Sequence, residues 1–219
     1  MKKGYTHIAY IIDSSGSMSS VKEPTIEGFN NFLQEQKMVP GEATFSLIKF
    51  SDEIETLYNF VHLQDVPLLN DNNYKTSGWT ALRDAIGLTI DSIGKKLASM
   101  GEKDRPERIL VICQTDGFEN RSKLYSVSQI NQMVTHQKEK YNWQFTFMGA
   151  TEQSILNAAS YGISGGNRIL YNSEALFIGE SYTSLNSLTT SQRLCSVSDM
   201  SSMGFTDEDR KKQEKKLTK

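Results

Sequence analysis

Cysteine is scarce in this chain: Cys113 and Cys195 are the only two in 219 residues. They lie far apart and neither belongs to a Cys-x-x-Cys pair, so neither a disulfide framework nor a thiolate zinc site is indicated. A reducing, cytoplasmic setting is the simplest expectation. Histidine is equally thin. His7, His62 and His136 are scattered, with no His-Glu-x-x-His, and each reads as an ordinary surface or strand residue. No Gly-x-x-x-x-Gly-Lys-Ser/Thr or Gly-x-Gly-x-x-Gly is present, which removes the standard nucleotide-binding signatures.

Long apolar runs are also missing. No segment approaches the roughly 18 to 20 apolar residues that a membrane span requires. The start, Met1-Lys2-Lys3 and a short apolar stretch, imitates a signal peptide only briefly. Asp13 ends the run without a small-residue cleavage site, and the stretch itself reads as a strand. A formal net charge of −2 gives no broad attraction to nucleic acid or to an anionic membrane, so neither is expected as a partner. Charge is uneven, however: from Arg210 onward there are six basic residues and one acid.

What remains is an ordinary globular composition, 37% apolar and 23% charged. Strand-like and helix-like segments alternate, which points to βαβ units and a mostly parallel sheet. Residues 5–12 form a continuous apolar run of the kind a central strand needs. Residues 21–37 carry Ile26, Phe29, Phe32 and Leu33 at helical spacing, and Pro40-Gly41 ends that helix. Residues 43–50 and 54–63 are two strands joined by Ser51-Asp52-Glu53. That link is too short for a crossover helix, so the pair should be an antiparallel hairpin with its second strand at a sheet edge.

From Thr80 a helix presents Leu82, Ala85, Ile86, Ile90, Ile93 and Leu97 on one face. Strands follow at 108–114, 143–148 and 168–171, with helices at 127–141 and 152–161 between them. Residues 173–202 read as helical but are rich in Ser and Thr. The expected fold is a doubly wound, Rossmann-like α/β domain over residues 1–203, with helices on both faces and one antiparallel edge strand. Residues 204–219 form a basic C-terminal tail in which Thr206 could cap a short helix.

The chemistry concentrates where strands stop, which is where open α/β sheets bind ligands. The first strand runs into Asp13-Ser14-Ser15-Gly16-Ser17. Thr80 stands in Ser77-Gly78-Trp79-Thr80-Ala81-Leu82, and Asp116 in Thr115-Asp116-Gly117 after another buried strand. Taken singly, each has a plain structural reading as a capped turn, a helix cap or an Asp-Gly turn. Together, two carboxylates and three neutral hydroxyls suit a hard cation such as Mg2+, with Mn2+ or Ca2+ as substitutes. Such a set leaves the local charge near neutral, so a further carboxylate could join as a ligand.

These three pieces resemble the metal-ion-dependent adhesion site (MIDAS) of von Willebrand factor type A domains. Asp13-Ser14-Ser15-Gly16-Ser17 matches the family's Asp-x-Ser-x-Ser, Thr80 its separate threonine, and Asp116 its Thr-Asp-Gly aspartate. The resemblance covers roughly residues 5–200, and the wording from Gly78 to Ile86 is similar to stand-alone intracellular bacterial and phage members. It implies that Ser15, Ser17 and Thr80 bind the ion directly, that Asp13 and Asp116 act directly or through water, and that a partner protein's Asp or Glu completes the shell. The chain departs from the pattern after Gly149-Ala150, where no acid follows the alanine. Met18, Ser19, Trp79 and Phe118 are expected on the partner-binding rim.

Two other readings compete. Haloacid-dehalogenase-like phosphatases also place an Asp after the first strand, which would make Asp13 a nucleophile. Their second acid falls two positions on, where this chain has Ser15. A flavodoxin-like phosphate cradle at residues 14–20 would set phosphate against Asp13. The expectation is therefore a binding module and not an enzyme.

Overall fold

The apolar run at the start becomes β1 (Lys2–Asp13), buried continuously from Tyr5 onward. The computed structural model describes residues 1–172 and 174–214. After β1 come α1 (Lys22–Met38), β2 (Ala43–Phe50), β3 (Ile54–His62), α2 (Leu82–Ser99) and β4 (Pro106–Thr115). The chain continues through α3 (Val127–Tyr141), β5 (Gln144–Gly149), α4 (Glu152–Ser160), β6 (Arg168–Leu170), α5 (Ala175–Leu194) and α6 (Asp207–Glu214). The six strands are ordered β3-β2-β1-β4-β5-β6. Every neighbouring pair is parallel except β2 with β3, the hairpin expected from its three-residue link, so β3 is the antiparallel edge.

Alternation along β1 sends its side chains to two separate cores. Ile8, Tyr10 and Ile12 meet Phe29, Phe32 and Leu33 of α1 and Tyr182 and Leu185 of α5 on one face. Ala9 and Ile11 meet Ile86, Ile90 and Ile93 of α2 and Ile130 and Val134 of α3 on the other. Fully burying each large apolar side chain contributes about 1.5–3 kcal/mol, so the two layers hold β1 from both sides. With the strand clamped in this way, its carboxyl end becomes a fixed platform. The order also reverses between β1 and β4: the chain leaves β1 toward β2 and later returns to β4 on the opposite side. Loops diverge at such a switch point and leave a crevice.

The C-terminal segment differs from the expected tail. Phe205 is buried, and its N–H donates to the Gly166 carbonyl at 2.8 Å. Arg210 donates to the carbonyls of Arg168 (2.6 Å) and Gly165 (2.9 Å), and Ser184 Oγ donates to Asp209 Oδ1 at 2.7 Å. Residues 204–214 therefore dock on β6 and α5, and the boundary at 203 does not separate two bodies. Thr206 does cap α6: its Oγ1 accepts from Asp209 N–H while Asp209 Oδ2 accepts from Thr206 N–H. Residues 215–219, which carry the rest of the basic run, lie outside the described residues, as does Ser173.

The α1–α5 contact depends on one missing side chain. A Cβ added to Gly28 would lie 2.2 Å from Tyr182 Cδ2. The tyrosine cannot easily yield, because its ring is buried and its hydroxyl donates to Gln114 Oε1 at 2.5 Å. Gly28→Ala should lower stability by roughly 1–3 kcal/mol through overpacking. That outweighs alanine's helix-propensity advantage of about 1 kcal/mol. Urea unfolding checks this; a midpoint unchanged or raised would mean α1 and α5 are not held so closely.

Candidate metal centre

Three loops meet over the crevice between β1 and β4, and backbone hydrogen bonds stitch them together. Ser77 N–H donates to the Ser14 carbonyl (2.8 Å) and Gly16 N–H to the Gly78 carbonyl (3.0 Å), joining the first loop to the second. Asn120 N–H donates to the Thr80 carbonyl at 3.1 Å, and Asn120 Oδ1 accepts from Thr80 N–H at 2.9 Å, joining the second to the third. The loops are thus held in register independently of the side chains pointing into the space between them.

Those side chains converge. Ser15 Oγ and Ser17 Oγ are 3.1 Å apart, and Ser17 Oγ donates to Asp116 Oδ1 at 2.7 Å. Gly117 supplies a common reference point. A Cβ built on it would stand 3.1 Å from Thr80 Oγ1, 3.4 Å from Ser17 Oγ and 3.8 Å from Asp13 Oδ2. All five expected residues are therefore brought together, although 103 positions separate Asp13 from Asp116. Asp13 keeps its capped-turn contact, Oδ1 accepting from Ser15 N–H at 2.7 Å, but helix capping does not account for Thr80 or Ser15. Thr80 does not cap α2, whose N-cap is Ala81 with no side-chain hydrogen bond, and Ser15 makes no side-chain cap to the short 3-10 turn Gly16–Val21.

The donors are all oxygen. Among the described residues no group of three or more His, Cys, Asp or Glu could hold a metal, so an ion here would depend on hydroxyls plus two carboxylates. That set fits a hard divalent cation and disfavours a soft one. Asp13, Ser15 and Thr80 are buried, Ser17 is exposed and Asp116 lies between, so the cluster opens to solvent on the Ser17–Asp116 side.

The rim needs one correction. Ser19, Trp79 and Phe118 are exposed, Trp79 at 58% and Phe118 at 55%. Met18, by contrast, is completely buried in the α1/α5 core and contributes nothing to an outer surface. The reason is local. Residues Gly16–Val21 form a 3-10 turn, in which side chains three apart share a face, and Met18 and Val21 both turn inward.

Several supporting residues are not among the expected ligands or rim residues. Thr115 Oγ1 donates to Asp13 Oδ2 (2.5 Å) and accepts from Gly117 N–H (3.1 Å), linking both aspartate loops. Tyr74, fully buried, donates its hydroxyl to the Asp13 carbonyl at 2.5 Å. Asp52 Oδ1 accepts from Trp79 N–H at 3.1 Å and pairs with Arg121 Nε at 3.4 Å, tying the hairpin turn to both rim aromatics' loops. Thr151, where the family pattern would place an acid, caps α4 in a box with Ser154. A Gly-x-Ser-x-Gly string does occur at 162–166, but it lies between α4 and β6 and not at a strand-to-helix turn, so it forms no nucleophile elbow.

Electrostatics single out Asp13. Burial pushes its carboxyl up to about 6, while hydrogen bonds from Thr115 and Ser15 pull it down and nearby Asp116 raises it further. Burial also raises Asp116, against the hydrogen bond from Ser17. Two carboxylates that resist ionising side by side are the environment that a cation would relieve. A raised folded-state value means that ionised Asp13 destabilises the metal-free fold. The cost is fully present above pH 6, shrinks as pH falls, and disappears below about 3.8. Asp13→Asn removes that titration, so the stability of the metal-free variant relative to wild type should rise by something of order 3 kcal/mol between pH 3.5 and pH 8. The offset at pH 3.5 reflects the acceptor oxygen lost to Ser15 N–H or Thr115 Oγ1. Thermal unfolding of both proteins across that range checks this, and a difference that does not change with pH would contradict it.

No family model and no curated protein sequence matches the chain. Solved structures do. The chain is similar to a von Willebrand factor type A protein from Catenulispora acidiphila, with a TM-score of 0.59, 11% identity, and coverage of 84% of this chain and 42% of that one. It is also similar to proximal thread matrix protein 1 from the mussel byssus, with a TM-score of 0.57, 15% identity, and coverage of 85% of this chain and 46% of that one. A second structure of the byssus protein, at a TM-score of 0.55 and 12% identity, has a zinc-occupied MIDAS motif. The chain spans less than half the length of these proteins. With its six-stranded order, single antiparallel edge and helices on both faces, this chain has the von Willebrand factor type A fold.

Proposed function

We propose that this chain is a divalent-cation-dependent protein-binding module. Asp13, Ser15, Ser17, Thr80 and Asp116 would hold one Mg2+, and an Asp or Glu on a partner protein would complete the shell. The observation that carries this reading is the convergence of Thr80 Oγ1, Ser17 Oγ and Asp13 Oδ2 on the space beside Gly117, with Asp116 hydrogen-bonded to Ser17. The zinc-occupied motif in the byssus protein supports a metal at this position of the fold. The all-oxygen donor set favours Mg2+, with Mn2+ or Ca2+ able to substitute.

When bound, the cation would supply a positive centre that accepts a carboxylate oxygen. The chain's own residues do the rest. Three neutral hydroxyls add ligands without cancelling the ion's charge, and the opening beside Ser17 and Asp116 leaves that side accessible. Around it, Ser19, Trp79 and Phe118 offer exposed contact surface, the two aromatics as anchors of the kind interfaces favour. Binding, and not hydrolysis, is the proposed role. A haloacid-dehalogenase-like reaction would require a carboxyl group two residues after Asp13, and that position holds Ser15.

No described helix is long and apolar enough to cross a membrane. Both cysteines are free, in keeping with a reducing cytoplasm.

Trp79 provides a reporter. It adjoins Thr80 and is exposed, whereas Trp143 is 3% exposed and precedes β5 at the opposite end of the sheet. Titrating Mg2+ or Mn2+ should change the tryptophan emission, and Trp79→Phe should abolish that change. Thr80→Ala should weaken cation binding at least roughly tenfold by calorimetry, the scale seen when a metal site loses a supporting group. The unfolding midpoint should barely move, because the Thr80 hydroxyl caps no helix. Wild-type protein that takes up no divalent cation in calorimetry, or that turns over a generic phosphomonoester with Mg2+, would sink the proposal.

A further inference from the structure

Helix α2 begins without a cap of its own. Ala81 occupies the N-cap position and offers no side-chain acceptor, which should strand the first-turn amides. They are served from elsewhere: Glu119 Oε2 accepts from Arg83 N–H at 2.8 Å, and Ser122 Oγ accepts from Asp84 N–H at 3.1 Å. Both acceptors belong to residues 117–126, the segment that follows Asp116.

The support is reciprocal. Asp84, in the first turn of α2, reaches into that segment and accepts three consecutive amides. These are Lys123 N–H on Oδ2 (2.8 Å) and Leu124 and Tyr125 N–H on Oδ1 (2.9 and 3.0 Å). Glu119 also gathers its own loop, accepting from Arg121 N–H (3.0 Å), Ser122 N–H (2.8 Å) and Ser122 Oγ (2.7 Å). Arg83 closes the arrangement by donating Nε to the Tyr125 carbonyl at 2.9 Å. Both carboxylates are nearly sealed from water, Asp84 at 6% exposure and the Glu119 side chain at 5%.

Neither acid contacts the five candidate ligands through its side-chain hydrogen bonds. Yet Thr80 lies two residues before α2, and Asp116 three residues before Glu119. A segment with no regular secondary structure is thereby tied to a helix start by side-chain hydrogen bonds in both directions. We propose that Asp84 and Glu119 are positioning residues of the metal site, a cap exchanged between α2 and residues 117–126 that holds Thr80 and Asp116 at ligand spacing. This inference rests on the metal reading above, but the clamp itself can be tested without metal.

In the metal-free protein, amide hydrogen exchange should be slow at Arg83, Lys123, Leu124 and Tyr125, and fast at the last three in Asp84→Ala. Calorimetry with Mn2+ should then show affinity weakened roughly 10- to 100-fold in Asp84→Ala, the usual cost of losing an outer-shell support. Asp84→Asn should be intermediate, because its one remaining carbonyl oxygen still serves the Leu124 and Tyr125 amides. Ile93→Ala, in the same helix but in the core away from the loops, should lower the unfolding midpoint while leaving Mn2+ affinity unchanged.

If Asp84→Ala fails to fold, Glu119→Gln and Ser122→Ala provide the same comparison. Folded variants that bind Mn2+ as tightly as wild type would overturn the inference, as would loop amides that exchange freely in the wild-type protein. Wild-type protein that binds no Mn2+ would instead refute the metal reading on which the inference stands.

Discussion

A hydrogen bond from the Thr115 hydroxyl to the Asp13 carboxylate ties together the ends of the two central strands. It sits where β1 and β4 lie side by side but their connections depart in opposite directions. Loops cannot close over such a junction, so the crevice needs polar side chains that satisfy one another. Thr115 does so on both sides, donating to Asp13 and accepting from the Gly117 amide. The first loop, the Asp116 loop and the buried end of the sheet therefore share one polar hinge-pin.

Placing two acids in that crevice works against stability. Burial raises both Asp13 and Asp116, and each is countered only in part by hydroxyl and amide donors. The surrounding structure offsets the cost with apolar cores on both faces of β1 and with buried polar ties such as Tyr74 to the Asp13 carbonyl. Strained electrostatics held inside a well-supported frame is a common mark of a binding site. Here the strain is of the sign that a cation would relieve.

Much of the frame was legible from periodicity. The apolar run before Asp13 had to be a central strand, and three residues between 50 and 54 could not hold a crossover helix. Both features follow from short-range geometry and survive in the structure. The cap of α4 was not anticipated, although Thr151 and Ser154 stand at capping-box spacing. The burial of Met18 is not legible, because it follows from a 3-10 turn that begins at Gly16, and no hydrophobic repeat marks so short an element. The docking of residues 204–214 is not legible in the sequence for a related reason. The helix was recognisable at Thr206, but its docking depends on Arg210 reaching the carbonyls of Gly165 and Arg168, more than forty residues upstream.

The sequence by itself determined the alternation of elements, the antiparallel edge and the identity of the oxygen donors, because each is written in neighbours a few residues apart. Only the tertiary structure decided that Asp13, Thr80 and Asp116 share one space, that Met18 turns inward, and that Asp84 and Glu119 cap each other's segments. Those outcomes depend on which strand ends become adjacent. Strand adjacency comes from burying two faces of a sheet at once, a cooperative property of the whole chain that no local window contains.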